Sequence, residues 1–303
     1  VVNAPTANTV SAAEHTIALM LALSRNIPQA NSRLKSGKWQ REELVGIELR
    51  NKTLGIIGLG NVGSEVAKRA QAFEMRVIAQ DPFVSTNYAH KLKVDLVSLD
   101  QLLEQSDFIT LHVPLTATTR EVIGIEELTK VKPTARIINC ARGGLVDEGA
   151  LLKAIEQGKL AGAAFDVFAT EPLTGSSLFR NDKVIVTPHL GASTIEAQAS
   201  AAKDIAEQVL AVLQGGFSRY AVNAPQVSSE LAPFMKAAST IGSLASQLIE
   251  GQISSIHIKY SGEIANHDCG PITTAAVSGL LQPVSEERIN LVNVGSVVAQ
   301  RGL

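Results

Sequence analysis

The stretch Thr53–Asp81, TLGIIGLGNVGSEVAKRAQAFEMRVIAQD, leaves the chain few folds to choose from. It opens on an apolar run, Leu54 to Ile57, short enough for a buried strand. The run leads into Gly58-Leu59-Gly60-Asn61-Val62-Gly63. A helical stretch follows from Ser64 to Phe73, with Val66, Ala67 and Ala70 at helical spacing. A second apolar run, Met75 to Ala79, ends at Asp81.

Each part has a physical job. Gly58 permits a tight turn, Gly60 lets the backbone approach a pyrophosphate, and Gly63 lets helix and strand pack closely. The helix N-terminus offers free N–H groups and a partial positive charge to the phosphates. Asp81 follows Gly63 by 18 residues and accepts hydrogen bonds from both ribose hydroxyls of an adenosine. It would repel a 2′-phosphate, so the expected cofactor is NAD rather than NADP. A bare glycine fingerprint is weak evidence, but this one follows a strand, opens a helix and has its acid in place.

The rest of the composition narrows the class. A length of 303 residues suggests about two domains, and 45% hydrophobic residues suffice for a real core. A net charge of −2 gives no electrostatic reason to expect nucleic acid or an anionic membrane as partner. Two cysteines far apart, Cys140 and Cys269, suit a reducing compartment and offer no disulfide framework. The longest apolar stretch, Ile17 to Leu23, is far below the ~20 residues that span a bilayer. The chain does not begin with Met and both ends look cut. The expected location is the cytoplasm, with a plastid form left open.

Taken in order, Val1 to Thr9 reads as extended. Ser11-Ala12-Ala13-Glu14 reads as a capping box opening a helix that is apolar nearly all round. Such a helix is buried, either as a core helix of one chain or at a subunit interface. His15 on it reads as a satisfied core histidine. Asn26 to Arg41 is polar and reads as a connecting segment. Strands are expected at Leu54–Ile57, Arg76–Ala79, Phe108–His112, Ile137–Cys140, Ala163–Val167 and Val184–Thr187. Helices are expected near Ser64–Phe73, Leu99–Glu104, Ile125–Val131 and Glu148–Gln157. That alternation means an α/β fold with a parallel, doubly wound sheet of Rossmann type, which binds ligands outside its strand C-termini.

Three of those ends carry chemistry. The first is Ala141-Arg142-Gly143-Gly144, where an arginine offers a planar fork to a carboxylate. The second is Glu171-Pro172, and the third is Pro188-His189-Leu190-Gly191. A histidine moves a proton near neutral pH, and a neighbouring glutamate orients it. Each residue alone also has a plain structural explanation; jointly, beside a cofactor loop, they read as a site. His257, His267, Asp268 and Cys269 match no zinc spacing and read as scattered polar residues, so no metal is expected.

With these stretches in view, the sequence resembles the D-isomer-specific 2-hydroxyacid dehydrogenase family. The likeness rests on GLGNVG, Asn139-Cys140-Ala141-Arg142-Gly143-Gly144, Asp166-Val167-Phe168 with Glu171-Pro172, and Pro188-His189-Leu190-Gly191, and is near-continuous from Val1 to about Asn223. NAPTANTVSAAEHT, INCARGGLVDEGAL and TPHLGAST carry the wording of members that act on 3-phosphoglycerate at the start of serine synthesis.

The resemblance implies catalytic Arg142, Glu171 and His189. It implies NAD contacts from Gly58, Gly60, Asn61, Val62, Gly63, Asp81, Val113, Cys140, Ala141, Arg142, Asp166, His189, Leu190, Gly191 and Ala192. Cys140 sits in an apolar strand with no base beside it and reads as a packing residue beside the cofactor. The resemblance also implies a homodimer or homotetramer. Formate dehydrogenases of this family pair their histidine with glutamine; the glutamate here favours a hydroxy acid.

Three parts are expected: an NAD-binding domain over 1–195 with a leading interface helix, a helix over 196–222 that returns to a mostly missing substrate domain, and a small α+β domain over 223–303. Gly215-Gly216 and Asn223-Ala224-Pro225 mark the linker; Leu231–Ile249 and Ile272–Leu281 read as helices and Ser255–Tyr260 as a half-buried strand. Because the N-terminal substrate half is missing, the chain as given is expected to bind NAD(H) but turn over poorly. Two alternatives stay open, a glyoxylate or hydroxypyruvate reductase of the same family and a non-catalytic NAD(H)-sensing protein.

Overall fold

In the computed structural model, residues 1–214, 218–225, 227, 230–251, 253–285 and 289–303 are described. The chain divides into two compact units. One is Thr6–Ser200; the other joins Val1–Pro5 to Ala201–Leu303.

The first unit opens with helices α1 (Thr9–Ser24) and α2 (Ile27–Lys35). The alternating part follows as β1 (Thr53–Ile57), α3 (Asn61–Ala72), β2 (Arg76–Gln80), α4 (Thr86–Lys91), β3 (Asp95–Leu96), α5 (Leu99–Gln105), β4 (Phe108–Leu111), α6 (Ile125–Leu128), β5 (Arg136–Asn139), α7 (Glu148–Glu156), β6 (Gly162–Phe165) and β7 (Val184–Val186). Helix α8 (Ile195–Leu213) begins here and continues into the second unit.

The seven strands form one sheet in the order β3-β2-β1-β4-β5-β6-β7, every pair parallel. The order reverses at β1, between β2 and β4, which places the crevice of a doubly wound sheet over the glycine loop. Strands buried on both faces read as continuous apolar runs, so six of the seven were visible in sequence. Their alternate residues feed two cores. Ile56, Val77, Ala79, Ile138, Ala164 and Ile185 meet α1 and α3 on one face. Ile57, Ile78, Ile109, Ile137, Ala163 and Phe165 meet α5 and α7 on the other.

The local structure departs from expectation at three places. Strand β3 is two residues long at the sheet edge and has no apolar run to announce it. The segment read as a connection holds α2, with Pro28 in its first turn, where a missing N–H costs nothing. Ser11 does not cap α1, which starts two residues earlier behind Asn8 without a side-chain cap. Its hydroxyl instead donates to the carbonyls of Asn8 and Gly191, and Glu14 reaches Arg69.

In the second unit, Val2 bridges Ala221 in antiparallel fashion and the Gln208 amide donates to the Asn3 carbonyl. Helices α9 (Ala232–Leu248), α10 (Gly270–Leu281) and α11 (Val294–Arg301) follow. A Cβ on Gly242 would lie 1.9 Å from the Ala276 carbonyl oxygen, and one on Gly279 2.0 Å from that of Ser239, so α9 and α10 cross antiparallel at backbone contact. Gly215-Gly216 of the expected linker lies outside the described residues.

The expected strand at Ser255–Tyr260 is absent. Ile256 and Tyr260 pack on the helices while Ile258 stays 36% exposed, and the segment finds no ladder partner among the described residues. Alternation alone does not make a strand without a neighbour to bond its backbone.

Candidate functional site

The site begins at the end of β1. Gly58 has φ +95°, a conformation that favours glycine, and its N–H donates to the Gln80 carbonyl at 2.9 Å. A Cβ there would strike Val113, the residue that walls the loop after β4, at 2.6 Å. A Cβ on Gly63 would lie 2.1 Å from the Gly58 carbonyl oxygen, which fixes how closely α3 meets the loop. At Gly60 an added Cβ meets nothing within 4 Å, and no side chain caps α3. Exposed Asn61 and half-buried Val62 start that helix. The result is open space above a bare helix N-terminus, which a pyrophosphate fits.

Asp81 at the end of β2 ties this loop down. One carboxylate oxygen accepts the Leu59 N–H at 2.8 Å and the other the Phe83 N–H at 2.9 Å, so each keeps a lone pair for a ribose hydroxyl. The residues fit an adenine dinucleotide without a 2′-phosphate.

The neighbouring ends of β5, β6 and β7 carry Arg142, Glu171 and His189. The Arg142 loop is shaped by Asn139, buried in β5. Its amide donates to the Arg142 carbonyl at 2.9 Å and its oxygen accepts from the Ala141 N–H at 3.1 Å. A Cβ on Gly143 would lie 1.7 Å from the Phe168 carbonyl oxygen, so the arginine loop lies directly on the loop that carries Glu171. Arg142 is exposed, and its guanidinium donates only to the adjacent Ala141 carbonyl among the described residues.

Glu171 uses both oxygens. One accepts the Phe168 N–H at 2.9 Å and the other faces His189 Nδ1 at 2.7 Å. Burial works to raise the Glu171 pKa, but the hydrogen bonds from His189 and Phe168 outweigh it and hold the carboxyl below its ordinary value. With Nδ1–H donated to the carboxylate, Nε2 of the half-exposed His189 is the basic nitrogen. An apolar cavity of about 540 Å³, walled by Phe168, Leu173, Phe179 and Val186, backs the pair.

His189 has φ +56°, a strained conformation for a residue with a side chain. The turn is held by Asp166. The Asp166 carbonyl accepts the His189 N–H at 2.9 Å, and its carboxylate oxygens accept the Leu190 and Gly191 N–H groups at 2.8 Å each. Burial opposes the Asp166 charge, yet His15, Thr187 and these two backbone donors lower its pKa. Gly191 is buried beneath the turn, and Ala192 beyond it is exposed.

Cys140 lies in the core against α1, and burial pushes its thiol up to about 12. That agrees with packing and leaves no thiolate for chemistry. His15, Thr187 and Asn139 complete the local network, although none of them was expected among the site residues. The signal for Asn139 was a polar residue inside an apolar strand. Among the described residues, no group of three or more His, Cys, Asp or Glu side chains is placed to hold a metal ion, and no helix is long and apolar enough to cross a membrane.

The geometry has relatives. The family model described as D-isomer specific 2-hydroxyacid dehydrogenase, NAD binding domain, matches residues 17–191, and that described as D-3-phosphoglycerate dehydrogenase intervening domain matches 230–303. The D-3-phosphoglycerate dehydrogenases of Synechocystis sp. and Bacillus subtilis are 48% and 45% identical across the whole chain. The chain spans 56% and 58% of their lengths.

Among solved structures, the chain is similar to a glyoxylate reductase from Paecilomyes thermophila (TM-score 0.68, 34% identity, 71% of this chain and 66% of that one). It is also similar to a D-lactate dehydrogenase from Aquifex aeolicus complexed with NAD and lactic acid (TM-score 0.64, 33% identity, 71% and 69%). The chain belongs to the D-isomer specific 2-hydroxyacid dehydrogenase family, and residues 17–191 are its NAD-binding domain.

Proposed function

We propose that this chain carries the cofactor and acid–base machinery of an NAD-dependent dehydrogenase that oxidises D-3-phosphoglycerate to 3-phosphohydroxypyruvate, the first step of serine synthesis. The observation that carries this reading is the 2.7 Å contact between Glu171 and His189 Nδ1 at the strand ends beside the glycine loop. The relatives named for that activity, and the intervening-domain match over 230–303, support the phosphorylated substrate over glyoxylate.

Arg142 binds the substrate carboxylate through its planar fork and polarises the C2 oxygen. His189 Nε2 takes the C2 hydroxyl proton and returns it in the reverse direction. Glu171 holds the ring in the tautomer that leaves Nε2 basic and stabilises the imidazolium that forms. Leu190, Gly191 and Ala192 carry the turn that sets the ring's direction, and Asp166 and Val113 shape the cofactor's seat. NAD, when bound, supplies a hydride acceptor at its nicotinamide ring. We place the protein in the cytoplasm or, as the chloroplastic Arabidopsis thaliana relatives are named, in a plastid, as a homodimer or homotetramer.

The test is NADH oxidation by the full-length protein with 3-phosphohydroxypyruvate, hydroxypyruvate and glyoxylate, compared by kcat/KM. A preference for the phosphorylated acid that disappears in His189→Ala supports the reading. Equal rates on the small unphosphorylated acids overturn the substrate, and tight NADH binding without turnover overturns the enzyme.

A further inference from the structure

The His189 turn has an unusual foundation. Three consecutive backbone N–H groups, those of His189, Leu190 and Gly191, all end on one residue, Asp166. The Asp166 side chain is 0% exposed. A carboxylate so placed needs its oxygens held by hydrogen-bond donors, because a buried anion without partners is strongly disfavoured. Among the described residues no lysine or arginine lies within ion-pair distance of it. Its partner is His15 of α1, whose Nε2 stands 3.1 Å from Asp166 Oδ1 and 3.2 Å from Thr187 Oγ1. Thr187 in turn donates to the same carboxylate oxygen at 2.6 Å. One turn earlier on the helix, the Ser11 hydroxyl donates to the Gly191 carbonyl at 2.9 Å. Helix α1 therefore grips the turn twice, once through its backbone and once through the aspartate that holds it.

We propose that His15 is a positioning residue for the reaction: from α1 it holds the buried Asp166 carboxylate in place, and Asp166 in turn holds the strained 189–191 turn that aims His189. The inference rests on the acid–base reading of His189 given above. The titratable groups around Asp166 are His15 on α1, Cys140 after β5 and Glu171 after β6, with His189 joined through Glu171. Only His15 bonds to the carboxylate side chain among these four. A misplacement of a reacting group by about 1 Å costs up to 10²-fold in rate, so loss of the His15 contact is read in turnover.

The experiment compares His15→Gln, His15→Asn and His15→Leu in the full-length protein. A glutamine amide reaches as far as Nε2 and donates in its place; an asparagine amide falls short; leucine fills the space and donates nothing. The expected result is a fall in kcat of at least about tenfold in His15→Leu and His15→Asn, with KM and NADH affinity within about twofold, and recovery of most of kcat in His15→Gln. Nitrogen-15 spectra of the His189 ring, which show which nitrogen holds the proton, should be altered in the same two variants and restored in the third.

Glu14→Gln, the neighbouring position facing Arg69, is the control and leaves both readouts unchanged. Equal kcat in the Gln and Asn variants, or an unaltered His189 spectrum in His15→Leu, overturns the proposal. If His15→Leu does not fold, the Gln–Asn comparison decides. If the parent protein turns over no 2-keto acid, the functional reading has failed and the His189 spectra alone decide the role of His15.

Discussion

Glu171 and His189 are joined through Nδ1 at 2.7 Å while the other glutamate oxygen is committed to the Phe168 N–H, so the carboxylate has one oxygen for each donor. Glu171→Gln leaves one strong acceptor for two donors. Either the Phe168 N–H is abandoned or the imidazole loses its fixed tautomer. The expected outcome is a fall in kcat of about 10²-fold, within the range for a lost acid–base partner, with NADH affinity unchanged. Steady-state kinetics beside fluorescence titration with NADH check it.

The glycine loop predicts two opposite phenotypes from one added methyl group. At Gly63 the methyl meets the Gly58 carbonyl and α3 must move, so Gly63→Ala costs about 2 kcal/mol or more of stability. At Gly60 there is open space and φ is −76°, which alanine adopts without strain. Gly60→Ala therefore keeps the parent's melting temperature and weakens NAD binding. Thermal melts with and without NAD separate the two.

Asp81 is tied to Leu59 and Phe83 and so is aimed before any ligand arrives. Asp81→Ala removes an acceptor worth about 1.5–3 kcal/mol when charged, a roughly ten- to hundredfold loss in NAD affinity. The preference for NAD over NADP narrows with it. Unchanged cofactor selectivity, measured by titration with both cofactors, counts against the role.

His112, at the end of β4, supplies a pH signature. Its Nε2 lies 3.0 Å from the Thr110 hydroxyl, and burial pushes its pKa down to about 3. The unfolded chain protonates this residue near pH 6.5, whereas the folded chain does not until about 3. Between those values the unfolded state binds one more proton, so stability is full above pH 6.5 and falls as the pH drops through the window. His112→Gln should flatten that part of the stability curve, measured by urea melts at steps between pH 7 and 4.

The parallel sheet and the site's outer residues were legible because each is written in contiguous residues. A short apolar run marks a strand, and the glycines, Arg142, Glu171 and His189 follow such runs within six residues. What stayed hidden is written across distance. His15 is 151 positions from Asp166, and nothing in the local pattern of α1 separates a core histidine from one that pairs with a carboxylate. Ser11 looked like a cap because a serine three residues before a glutamate usually is one; its real partner, Gly191, is 180 positions away. The failed strand at Ser255–Tyr260 has the same origin, since a strand is a property of two segments and the pattern belonged to one.

The backbone crossing of α9 and α10 puts a limit on redesign of the C-terminal unit. Gly242 and Gly279 each face a carbonyl of the other helix with less than a carbon atom's room. In a deep mutational library these two positions should behave as fixed points, intolerant even of alanine, though they lie far in sequence from every residue of the candidate site. A search for hardier variants has to build around them, on the outer faces of the two helices, because the seam itself admits no new atom.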